Sequence, residues 1–168
     1  MKKIIIGLLV FGFAFQSFAQ IKTEKLSEVV ISATNYKYLN KVGLTNASLD
    51  VELLESKVAT FNVKDADFYS DEYGTYEVKF YIPNGYILAS YDKDGTILRT
   101  AERFKNVTLP RTVIESVAKT YPNWSFAKDV YLVSYHDATG KITKKYKIVL
   151  KNGDKRIRVK VDAEGNFL

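Results

Sequence analysis

The chain repeats itself, and the repeat limits what it can fold into. "LLESKVATF", ending at Phe61, parallels "VIESVAKTY", ending at Tyr121. "YEVKF" from Tyr76 parallels "YKIVL" from Tyr146, and Asn84-Gly85 parallels Asn152-Gly153. "DKDGTIL" from Asp92 parallels "DAEGNFL" from Asp162. The offset is 60 residues at the helical segment and 68–70 across the strands, as insertions between strands would produce. Two copies of a helix followed by an antiparallel sheet satisfy this pattern.

Each copy shows the change of period that such a unit needs. Asp50-Val51-Glu52 opens a helical pattern with Leu54, Val58 and Phe61 on one stripe, and Ser48 or Asp50 is placed to cap it. From Thr75 the period becomes two: Tyr76, Val78, Phe80 and Ile82 share one face, and Glu77, Lys79 and Tyr81 the other. Pro83-Asn84-Gly85 turns the chain and "YILASY" runs back. In the second copy Thr108 is the expected cap, with Pro110 in the first turn, where a missing N–H costs little. Val113, Ile114, Val117, Ala118 and Tyr121 form the expected buried stripe, and Pro122 ends it. "DVYLVSY" reads as a strand, and "KKYKIVL" and "KRIRVKV" as a hairpin across Asn152-Gly153. Ahead of the repeats, Glu28–Ala33 is β-branched and reads as a short strand, and 41–48 as a linker.

The first residues read as an export signal. Lys2 and Lys3 precede the apolar run Ile4–Phe15, and Ser17 and Ala19 are small residues at the −3 and −1 positions before Gln20. The expected organisation is therefore a signal peptide over 1–19, an N-terminal strand and linker over 20–49, and repeats over 50–102 and 103–168. With no cysteine, the chain has neither disulfide staples nor a thiolate nucleophile, which suits a bacterial periplasm or cell exterior. Charge is unevenly spread. Residues 20–102 carry 9 Lys/Arg against 13 Asp/Glu, and residues 103–168 carry 14 against 6.

Asp92-Lys93-Asp94-Gly95 invites a calcium reading, but an EF-hand loop needs a longer run of ligands and a Glu six residues after its Gly. Position 101 is Ala, and the second copy replaces Asp94 by Glu164, so the motif is expected to be a turn. His136 is the only histidine and sits beside Asp137 as a solvated residue. Asp65, Asp67, Asp71 and Glu72 read as a solvated acidic loop. No nucleophile elbow, Walker loop or dinucleotide fingerprint is present. The expectation is of no enzyme, no metal and no cofactor.

A helix beginning Leu109-Pro110 and ending Tyr121-Pro122, then a strand, a hairpin through Gly153, and a close on Asp162 and Gly165, resembles the exported bacterial PepSY-like proteins. These are grouped with the β-lactamase-inhibitor-like fold, and the likeness covers roughly residues 50–168. The resemblance implies an α+β fold: a tandem repeat of a helix packed on a four-stranded antiparallel β-sheet, with one face of each sheet open. It also implies non-catalytic binding or inhibition.

If helices cover one face, alternation names the residues on the other. In the second copy Ile148, Leu150, Ile157, Val159 and Val161 point to the helix, leaving Lys147, Val149, Lys151, Arg156, Arg158 and Lys160 open. In the first copy the open residues are Glu77, Lys79, Tyr81, Tyr86, Leu88 and Ser90. The expected binding residues are Tyr81, Tyr86 and Leu88 for contact, with Lys147, Arg156, Arg158 and Lys160 for electrostatic steering. The expected partner is an envelope or secreted protein. The alternative is an anionic lipid headgroup or acidic polysaccharide on the basic face, and nucleic acid is not expected.

Overall fold

Alternation, carried through six consecutive strands, builds a single sheet. The computed structural model describes residues 35–43 and 48–168. Helices α1 (Tyr36–Val42) and α2 (Leu49–Thr60) lead into a 3-10 turn at Val63–Asp65. Strands β1 (Thr75–Ile82), β2 (Gly85–Asp92) and β3 (Ile97–Lys105) follow, then helix α3 (Arg111–Thr120). Strands β4 (Ser125–His136), β5 (Lys141–Asn152) and β6 (Lys155–Asp162) complete the chain. The strand order is β1-β2-β3-β4-β5-β6, every neighbour antiparallel.

The helices cover one face of this sheet. Phe80 of β1, Ile87, Ala89 and Tyr91 of β2, Phe104 of β3, and Tyr131, Val133 and Tyr135 of β4 are buried there. Tyr146, Ile148 and Leu150 of β5 and Val159 and Val161 of β6 continue the same layer. Val51, Leu54, Val58 and Ala59 of α2, Tyr38 and Val42 of α1, and Val113 and Val117 of α3 close it from above. Register sets Phe104, Tyr131, Tyr146 and Val161 in one row across β3 to β6. The Tyr131 and Tyr146 rings stack at 4.7 Å, with Phe104 6.4 Å from Tyr131. Such cross-strand aromatic pairs fix register as well as burying area.

The expected faces are found, but the expected four-stranded units are not. Six strands form one sheet among the described residues, three from each half. In the first half the segment before β1 carries Asp65, Asp67, Asp71 and Glu72, residues that favour turns over strands. It folds as the 3-10 turn and a loop, with the rings of Phe68, Tyr69 and Tyr73 packed about Tyr76. In the second half residues 166–168 supply a single bridge, Val161 to Phe167, instead of a strand. The border drawn between residues 102 and 103 lies within β3, which pairs with β4 and joins the halves.

Other boundaries moved for local reasons. Helix α1 was not expected: it lies between the strand expected at Glu28–Ala33 and the linker expected at 41–48, whose first two residues it takes, and Tyr38 and Val42, one helical turn apart, are its buried side. In α3 the cap is Pro110 rather than Thr108, and only Val113 and Val117 of the expected stripe are fully buried, with Ile114 exposed. The signal peptide and the strand Glu28–Ala33 lie outside the described residues. Among the described residues no helix is long and apolar enough to cross a membrane.

Both aspartate turns are built alike. Asp92 Oδ1 accepts the N–H groups of Asp94 and Thr96 at 2.9 and 2.8 Å. Asp162 Oδ1 accepts those of Glu164 and Asn166 at 3.0 and 2.8 Å. Gly95 and Gly165 take φ of +83° and +91°, where a side chain is disfavoured. The carboxylates thus close turns on their own backbone.

Gly85 matters for a different reason. A Cβ there would lie 2.3 Å from Phe104 Cδ1 and 2.6 Å from the Arg103 carbonyl oxygen, so its absence lets β2 close on β3. Gly85→Ala is expected to lower the unfolding free energy by about 1–3 kcal/mol through overpacking. Gly74→Ala, whose Cβ would meet nothing within 4 Å, is the matched control. Urea melts giving both variants the same midpoint would contradict the close approach at Gly85.

Candidate functional site

The face opposite the helices has no covering layer among the described residues. Its strand positions run from Glu77, Lys79 and Tyr81 on β1, through Tyr86, Leu88 and Ser90 on β2, to Arg99, Ala101, Arg103 and Lys105 on β3. Val130, Leu132, Ser134 and His136 on β4 continue it, then Lys145, Lys147 and Val149 on β5 and Arg156, Arg158 and Lys160 on β6. Every residue expected to bind lies on this one face. They form two groups, however. Tyr81, Tyr86 and Leu88 are on β1 and β2, and Lys147, Arg156, Arg158 and Lys160 on β5 and β6. Three strand spacings, roughly 14 Å, separate β2 from β5.

Sequence reasoning passed over the residues that bridge the gap. Arg103 lies opposite Tyr86 on one side and Leu132 on the other, and Lys105 lies opposite Val130, which faces Lys147 and then Lys160. The signal was partial: in "ILRTAERFK" Arg99, Arg103 and Lys105 share one parity, but Ala101 shares it too, and Thr100 and Glu102 break the apolar pattern of the other. Two exposed acids are accounted for: Glu77 pairs with Arg99 at 2.6 Å, and Asp94 with Lys64 at 3.2 Å. Arg103, Lys105, Lys147, Arg156, Arg158 and Lys160 make no ion pair among the described residues.

Three depressions mark the face. One of about 490 Å³ lies at the β1–β2 turn and is lined by Lys79, Tyr81, Tyr86, Arg103 and Lys105 with the turn itself. A second of about 340 Å³ is lined by Glu77, Leu88, Ser90, Arg99 and His136. The third, about 390 Å³, holds Ala127, Lys128, Val149, Arg156 and Arg158 beside the register shift in β4. His136 is exposed at the end of β4. Among the described residues no group of three or more His, Cys, Asp or Glu could hold a metal.

The covered face contains an unexpected polar cluster. Glu55 of α2 and Glu102 of β3 are 1% and 3% exposed. Tyr38 Oη of α1 and Thr100 Oγ1 donate to Glu102 Oε1 at 2.9 and 2.8 Å. Lys144 of β5 donates from Nζ to the Val42 carbonyl at 2.9 Å. Both Glu55 oxygens and Glu102 Oε2 lack a conventional hydrogen-bond donor. Burial first, and then Glu102, pushes the Glu55 carboxyl up to about 8, and burial also raises Glu102. A proton shared between the two carboxyls would engage two of these three oxygens, one on each residue, and remove the like-charge contact. Neither residue lines any of the three depressions, so a substrate on the open face does not meet the pair.

No protein-family profile and no curated protein matches this sequence. Among solved structures, a BLIP-like protein from Bacteroides fragilis is similar, with a TM-score of 0.30 and 14% identity over 56% of this chain and 73% of that one.

The buried pair has a consequence for stability. Glu55 faces Glu102 on β3, Tyr38 on α1 and Lys144 on β5, with Glu52 on its own helix. Its ordinary value is 4.5, so between that and about 8 the folded chain keeps a proton that the unfolded chain has lost. Raising pH through this window therefore favours unfolding. Glu55→Gln keeps the shape and a donor toward Glu102. It is expected to flatten the profile and raise stability at pH 8 by on the order of 3 kcal/mol. Denaturant melts at pH 5 and pH 8 measure this, and parallel profiles for the two proteins would refute the shared proton.

Proposed function

We propose that this chain is an exported, non-catalytic binding module that docks an acidic envelope or secreted protein through its open sheet face. The observation that carries the reading is the asymmetry of the sheet. One face is sealed by helices, while the other interleaves Tyr81, Leu88, Val130, Leu132 and Val149 with cations that have no ion-pair partner among the described residues. Apolar contact with unpaired charge of one sign suits a protein surface of the opposite sign. The repeats over 50–102 and 103–168 would each supply one half of the surface. An inhibitor-like role is one form of such docking.

The cationic depression at Lys128, Arg156 and Arg158 favours a second reading, in which this end holds an anionic lipid headgroup or acidic polysaccharide. It contains no aromatic wall, so contact there is mainly electrostatic.

Reversing Arg156, Arg158 and Lys160 to Glu separates the two. These side chains are exposed on an edge strand, so the fold is expected to survive, as circular dichroism will check. Residues 20–168 and the variant are immobilised and presented with envelope extract and culture fluid of the producing cell. The expected result is one acidic protein held by the native surface and lost by the variant, with association about tenfold slower and less dependent on salt in the variant. Retention of glycan or lipid alone would favour the second reading. Equal retention of the same protein by both surfaces would refute the role of the basic strands.

A further inference from the structure

The depression at the β1–β2 turn differs from the rest of the open face in being both cationic and aromatic. Tyr81 and Tyr86 stand directly opposite one another on the two strands, and Tyr81 is 78% exposed. The Lys79 ammonium lies 4.7 Å from the centre of the Tyr86 ring, which fixes the charge above an apolar floor. Arg103 faces Tyr86 from β3, and Lys105 follows two residues on. No acid lines the depression, and the Glu77 carboxylate, two residues before Lys79, is paired with Arg99. Three cations therefore converge without a counter-charge, and an entering anion relieves their mutual repulsion.

The cradle is also set in advance. Lys105 N–H donates to the Asn84 carbonyl at 2.8 Å, tying the turn to β3. Gly85 lets that turn lie against Phe104 and the Arg103 backbone, where any Cβ would collide. Its volume of about 490 Å³ is within the range of clefts that enclose several ligand groups.

We infer that this turn-and-strand cradle, formed by Lys79, Tyr81, Tyr86, Arg103 and Lys105, seats a carboxylate side chain and its apolar neighbour from an acidic loop of the partner. The inference rests on the docking role proposed above and adds where the partner is gripped. A bare phosphate or headgroup would use the cations but leave the two tyrosine walls without contact. An acidic peptide with interleaved apolar residues uses both. The cradle thereby assigns Arg103 and Lys105 to the carboxylate, and Tyr81 and Tyr86 to the residue beside it.

The test is an amide-resolved NMR titration of residues 20–168 at low salt. The probes are acetyl-Glu-Leu-Glu-Leu-amide, its Gln-for-Glu counterpart and inorganic phosphate. The acidic peptide is expected to shift the amides of 81–86 and 103–105 saturably, about tenfold more tightly than either control. Arg103→Gln with Lys105→Gln should weaken it by about tenfold. Tyr81→Ser should weaken the peptide while leaving the phosphate response unchanged. All three side chains point away from the core, and the spectra themselves report whether each variant is folded. Phosphate binding as tight as the peptide would overturn the cradle as a peptide seat. Peptide shifts confined to β5 and β6 would also overturn it, while leaving docking on the open face intact. An absence of shifts on every strand of the open face would remove both.

Discussion

A sheet has two faces, and the helices described here are enough for one. Three helices lie on the same side of six strands, because the buried apolar residues of the strands fall on that side. Antiparallel register keeps those residues on one side from β1 to β6: a one-residue slip between β5 and β6 would turn Arg156, Arg158 and Lys160 into the core. The row Phe104, Tyr131, Tyr146 and Val161 resists such a slip, since its stacked rings meet only in the observed register. What the open face displays follows from what the covered face requires.

The covered face also carries a local cost. Glu55 and Glu102 bring two carboxyls into an interface otherwise made of aliphatic and aromatic groups. An apolar pair of similar volume would pack there without any proton to hold. The pair instead lies where four elements from different parts of the chain meet. Tyr38 of α1 and Glu55 of α2 meet Glu102 of β3, and Lys144 of β5 reaches back to the end of α1. Helix α1 has seven residues, too few to be stable alone, so the contacts through Tyr38 and through Asn35 fix its place. Asn35 donates to the carbonyl of Gly95 and accepts from the N–H of Ile97, so the first aspartate turn and the first helix are positioned together.

Period-two segments were the legible part of this sequence. Tyr76, Phe80, Ile148, Leu150, Val159 and Val161 are buried where alternation placed them, and Tyr81, Lys147, Arg156 and Arg158 are open for the same reason. The number of strands per repeat was not legible from the repeat itself. A repeat shows that two segments are alike, but whether an acidic, turn-prone stretch such as 61–74 pairs as a strand depends on its own residues. Helix α1 was hidden because seven residues hold too few periods to announce a helix, and its main fixture, Tyr38, is recognised only through Glu102 some sixty positions later. Its separation from Glu102 in sequence likewise hid Glu55, which in a helical stripe reads as an ordinary solvated charge. In the candidate surface, β3 and β4 were the missing link: their side chains join groups that the sequence places in separate halves.

In the proposed docking, the spread of the open face across both halves would give its charge and its aromatics different tasks. Coulomb attraction acts over about a Debye length, so the exposed cations of β5 and β6 can bias the approach of an acidic surface before contact. Aromatic and apolar contact acts only after water has been displaced, and in the proposed docking Tyr81, Tyr86 and Leu88 would provide it at the other end. A partner drawn to the basic strands still has to extend roughly 14 Å across Val130, Leu132 and Arg103 to reach the tyrosines. An anion small enough to satisfy β6 alone never makes that second contact. On a continuous sheet, separation itself becomes a means of selection: charge sets how often a surface arrives, and reach decides which surface stays.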